Sequence, residues 1–196
     1  MFIRNTRRAV QFVAALGLLL LSLGAQASWQ LVNESSQLNF ISTKASHIAE
    51  THTFTELSGG ISDAGQAELN IALESVATGI EIRNERMQSM LFNAVAFPQA
   101  QVKTTIDLSE FTALNAPVVK PITAELSLVG QSTQVQGEVL VATVDKDTVS
   151  VTTIAPIIVN AGVLELVSGV EALREVAGLP SISYSVPVTF SLTFRR

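Results

Sequence analysis

The chain has no cysteine, so disulfides, thiol chemistry and cysteine metal sites are excluded by composition. It has two histidines, His47 and His52. They stand five apart, which in a strand places them on opposite faces. Zinc sites draw three or four protein ligands, so no metal site is expected. Aromatic residues are sparse, with one tryptophan and one tyrosine. Outer-membrane barrels carry aromatic girdles at both interfaces, and this chain lacks the residues for them. Basic residues are also few. No Gly-rich phosphate loop, HExxH or G-x-S-x-G motif is present, and serine chemistry needs a positioned base. No catalytic residue is expected, and no cofactor.

The one long apolar run is N-terminal. Arg4, Arg7 and Arg8 precede an apolar stretch from Ala9 to Leu23, and Ala25-Gln26-Ala27 supplies a small-x-small site. The run falls short of the ~20 residues of a spanning helix. This is the pattern of a secretory signal over 1–27, cleaved after Ala27, and it predicts an exported protein. Thr6-Arg7-Arg8 faintly resembles a twin-arginine signal, whereas the Leu18–Leu21 run favours export of an unfolded chain. No cysteine follows for a lipoprotein anchor, and no later run is long enough to insert stably in a membrane.

Residues 28–196 then form one domain of 169 residues, enough for a sizeable core without disulfides. Nine basic and seventeen acidic residues remain, a net charge of −8. Such a surface repels phosphate backbones, so no nucleic-acid partner is expected.

Alternation dominates this domain. Ile182, Tyr184, Val186, Val188, Phe190, Leu192 and Phe194 share one parity, with Ser, Thr and Pro187 on the other. That is a half-buried antiparallel strand, and Pro187 predicts an interruption of its ladder. Weaker alternation marks strands over 37–43, 52–57, 66–73, 101–106, 122–128, 135–141 and 149–153. Turn signals separate them at Gly59-Gly60, Asp63-Ala64-Gly65, Asn115-Ala116-Pro117, Gly130-Gln131-Ser132 and Asp145-Lys146-Asp147. Two segments read as short helices. One is Arg83–Phe92. The other is Gly169–Ala177, with Val170, Leu173, Val176 and Ala177 on one face. The fold class is therefore all-β, with about eight antiparallel strands and one or two short helices. Eight strands close into a barrel that removes exposed edges and holds side chains or one small ligand. A sandwich uses the same alternation.

The segment from Thr78 to Pro98 is the most distinctive. Thr78, Gly79, Arg83, Asn84, Glu85, Met87, Ser89 and Phe92, followed by Phe97-Pro98, resemble the central signature of the YceI-like family. Trp29, the run Lys44–Ile61 and Leu114–Pro121 fit the same pattern, so the resemblance spans residues 28–196. It departs in two positions and one stretch. The family usually has aspartate at Asn84 and often histidine at Arg86, and its common form differs over Asn160–Pro180.

The resemblance implies a periplasmic, antiparallel eight-stranded lipocalin-like barrel. It implies a binding protein for a polyisoprenoid, a quinone-like molecule or another lipid, with no catalytic step and no cofactor; it admits a homodimer. Candidate lining residues are Phe40, Phe54, Ile71 and Leu126, with Val139, Val186, Val188 and Phe190 on later strands. The same residues serve equally as an ordinary filled core. Met87, Met90, Leu91, Phe92 and Phe97 are candidates for a lid, or for a helix packed on the barrel end. Arg83, Asn84 and Arg86 are candidates for a polar head group, or for a self-paired surface cluster. A filled envelope protein that binds a protein partner is the alternative function.

Overall fold

The computed structural model describes residues 27–110 and 116–196. The expected export signal lies outside the described residues apart from Ala27, and so do Leu114 and Asn115 of the expected connection.

The strands are β1 (Ala27–Leu31), β2 (Gln37–Lys44), β3 (Ile48–Phe54), β4 (Leu57–Ser62), β5 (Gln66–Ala72) and β6 (Val76–Ala77). They continue with β7 (Gln99–Thr105), β8 (Val118–Leu128), β9 (Gln131–Asp145), β10 (Thr148–Thr153), β11 (Ile157–Asn160) and β12 (Ser185–Arg195). Four pairs, β1–β2, β3–β4, β5–β6 and β10–β11, are single staves broken by two to five residues. Counted as staves there are eight, each antiparallel to the next in sequence. The last closes on the first through Phe194↔Leu31 and Phe190↔Leu38. That closure decides for the barrel over the sandwich.

Alternation works as expected inside this frame. On the β8–β9 hairpin, Leu126 lines the interior while Thr123↔Gln136 and Glu125↔Gln134 pair on the outer face. Leu73 and Val141 are almost fully buried at 1% and 0% exposure, and burying such a side chain stabilises the fold by about 1.5–3 kcal/mol.

Several expectations need correction. Gly59-Gly60 is not a turn but lies within β4, where Gly59 adopts φ +140°. A Cβ there would stand 2.1 Å from the carbonyl oxygen of Glu68 on β5, so only glycine allows the strands to pair at this point. The strand expected over 52–57 is broken after Phe54, and β1, which carries the Trp29 of the family pattern, is a strand that alternation did not mark. The last strand begins at Ser185. Ile182 forms only a bridge to Lys44, and Tyr184 is exposed, its hydroxyl donating to Glu171 at 2.7 Å. Pro187 sits one residue beyond the β2–β12 register, which starts at Val188↔Phe40, so its missing N–H falls where that ladder ends.

One end of the barrel is closed by helices. α1 (Glu81–Arg86) runs directly into a π-helical turn, Met87–Leu91, where the Phe92 N–H donates to the Met87 carbonyl at 2.9 Å. α2 (Val167–Val176) packs against that turn. Val170 of α2 is buried as expected, whereas Val176 and Ala177 face outward. The other end carries the 63–65 and 146–147 turns, the end of β7 and the start of β8.

Candidate functional site

Inward-facing side chains do not fill the barrel. They surround a cavity of about 300 Å³ with an almost wholly apolar wall. Val186, Val188 and Phe190 are only half-buried although they point inward, because they border that space. Phe40, Phe54, Ile71, Leu126 and Val139 line it too. So do Met87, Leu91 and Phe92 from the helical cover. Two of the proposed lid residues stand apart. Met90 is 38% exposed, and Phe97 packs against the Val129–Gly130 turn. The π turn accounts for Met90. In an α-helix, residues three and four apart share a face, which would align Met87, Met90 and Leu91. The wider turn brings Phe92 round to the cavity and leaves Met90 outside.

The cover is joined to the wall by aromatic contacts. Phe92 lies 5.9 Å from Phe54, and Phe54 lies 5.3 Å from Phe40, centroid to centroid. Such pairs add about 0.5–1.5 kcal/mol each beyond burial.

A polar cluster holds α1 to the β2–β3 hairpin. Arg83 donates from Nη1 to Glu50 Oε2 at 2.9 Å and from Nη2 to the Thr78 carbonyl at 2.6 Å. Lys44 Nζ meets the same Glu50 oxygen at 2.7 Å. The Lys44 hydrogen bond is the main cause that holds the Glu50 carboxyl below its ordinary range; desolvation opposes it, and the Arg83 hydrogen bond adds a lesser downward pull. Asn84 Oδ1 accepts from the Thr78 N–H at 2.9 Å and the Thr78 hydroxyl at 2.6 Å. Two of the three head-group candidates thus direct polar atoms at the protein itself. Arg86 stands half-buried in the last turn of α1.

His52 belongs to this cluster, a role its sequence context did not signal. It is only 4% exposed, its Nε2 lies 2.9 Å from Ser42 Oγ, and its ring packs 5.2 Å from Phe40. Its Nδ1 and the Nε of Arg83 have no protein partner. Burial, then the Arg83 charge, pushes its pKa down. The only signal in the sequence is parity: Phe40 pairs with His52 across β2–β3, so both share the inward face.

A closed eight-stranded up-and-down barrel, with an apolar interior cavity and a helical cover, is a lipocalin-like barrel. The chain belongs to the YceI-like domain family, whose model matches residues 29–194. It is similar to a polyisoprenoid binding domain from Saccharophagus degradans implicated in plant cell wall breakdown. The two are 36% identical with a TM-score of 0.84, over 87% of this chain and 99% of that one. Burkholderia cenocepacia BcnA shares the fold at 17% identity and TM-score 0.64, over 83% of this chain and 98% of that one. The Campylobacter jejuni YceI protein shares it at 13% identity and TM-score 0.55, over 74% and 84%. No functionally curated protein matches the chain.

Proposed function

We propose that this protein is an exported, periplasmic binding protein that holds a polyisoprenoid, a quinone-like molecule or a fatty-acyl lipid inside its barrel, without catalysing a reaction. The observation that carries the reading is the unfilled apolar cavity beneath a helical cover. A tail placed there gains about 0.8 kcal/mol for each methylene removed from water. Dozens of such groups exceed the −18 to −21 kcal/mol at which real affinities saturate, so ordering and desolvation take back roughly the surplus. The relative from Saccharophagus degradans, described as polyisoprenoid binding, supports the ligand class. The outer face of the β8–β9 hairpin, with Thr123, Glu125, Gln134 and Gln136, suits water rather than lipid. The basic and apolar N-terminal pattern supports export.

Mass spectrometry of the mature protein isolated from the periplasm, native and then solvent-extracted, tests this. A stoichiometric apolar adduct is the expected result. A bare mass, with no uptake of added isoprenoid or fatty acid, overturns the reading and leaves an envelope protein that acts through a protein partner.

A further inference from the structure

The cavity does not stop at the barrel wall. It runs on beneath the segment between β11 and β12, where Ala161, Leu164, Leu166 and Val170 line the same space. These four, with Leu126, form a second apolar cluster, separate from the main core. We infer that this arm is the blind end that receives the apolar terminus of the ligand, and that Ala161, Leu164, Leu166 and Val170 set the length of chain the barrel accepts.

Three observations carry this, and all rest on the carrier reading above. First, the arm is sealed. Leu164 is 1% exposed, and Ala161, Leu166 and Val170 are each below 9%. Second, its floor is rigid. The Leu166 N–H donates to the Ala161 carbonyl at 2.8 Å, the Ala161 N–H to the Tyr184 carbonyl at 2.8 Å, and the Val170 N–H to the Leu166 carbonyl at 3.0 Å. Gln131 on β9 also donates to Glu165 at 2.9 Å. A floor tied this way cannot deepen to suit a longer tail without losing several backbone bonds. Third, the arm is apolar throughout. Ala161, Leu164, Leu166 and Val170 carry no polar side chain, whereas the charged Lys120 lines the cavity near the start of β8, at the end opposite the helices. An apolar terminus fits the arm and a polar head does not.

The test is competition among linear prenyl alcohols that rise one isoprene unit at a time, with wild-type and variant mature protein compared by native mass spectrometry. Ala161→Phe fills the arm and is expected to shift the preferred length downward. The longest chain that wild type retains then loses about tenfold or more relative to the next shorter one, since several methylenes lose their apolar contact. Leu164→Ala deepens the arm and is expected to shift the preference upward, which keeps the test informative if the Phe variant folds poorly. Equal loss across all lengths, or an unchanged length distribution in the Ala variant, overturns the inference while uptake by wild type keeps the carrier reading intact. Wild type that takes up no chain of any length overturns both.

Discussion

Gly169 and Leu91 mark the point where the two helices of the cover touch. A Cβ built on Gly169 would stand 3.0 Å from the Leu91 Cα and 3.0 Å from the Met90 carbonyl oxygen. Glycine inside a helix is ordinarily about 1 kcal/mol worse than alanine, so its presence in α2 is explained by close approach. Gly169→Val is expected to lower stability by about 1–3 kcal/mol through overpacking. Urea denaturation checks this, and an unchanged or raised midpoint would show that the helices have room to part.

Asn84 provides a second test of the cover. Its Oδ1 accepts both the N–H and the hydroxyl of the buried Thr78. Asn84→Ala strands those donors and is expected to lower stability by about 1–3 kcal/mol. Asn84→Asp keeps an acceptor in place and is expected to retain most of it. If the two variants melt alike, the paired acceptance does not support the helix.

His52 makes stability depend on pH in a defined window. Its folded pKa lies below the ordinary 6.5, because burial and then the Arg83 charge disfavour the cation. As pH falls through 6.5 the unfolded chain binds the proton first, so stability present above that value is lost down to the folded value and then levels off. Glu50 acts in a separate, lower window. Its folded pKa is below 4.5, so its contribution is present above 4.5 and disappears as pH falls through the folded value. His52→Phe is expected to flatten the upper slope and leave the lower one. Thermal melting across both windows gives the comparison, and an upper slope that survives the substitution excludes His52 as its source.

Phe190 tests the cavity itself. It points inward between Val188 and Leu192 on β12 and lines the space. Phe190→Asp places a carboxylate on the apolar wall and is expected to weaken uptake of an isoprenoid by about tenfold or more, since an unpaired polar group there costs about 1–3 kcal/mol by mutational measure. A folded Asp variant that binds lipid as wild type does would remove Phe190 from the site.

Much of this was legible in the chain because sheet burial has a period of two residues. That period alone placed Val186, Val188 and Phe190 on the inner face. The same rule misread Tyr184, because parity continues past the end of a ladder while the strand does not. Gly59-Gly60 looked like a turn because a glycine needed for close strand approach resembles one needed for a reversal. Met90 stands outside the cavity because a π turn rotates the face, which membership of an apolar cluster does not reveal. His52 was invisible as a cluster member, since its partners Ser42, Glu50, Lys44 and Arg83 come from three elements.

The sequence by itself determined the all-β class, the eight staves, the inward parity and the two helical segments. Each follows from local periodicity and from the family resemblance of the Thr78–Pro98 segment. Only the tertiary structure decided closure through β1 and β12, the space left open inside, and the extension of that space beneath Leu164. Those depend on how far apart the walls stand once every backbone ladder is satisfied, a distance that no run of neighbouring residues encodes.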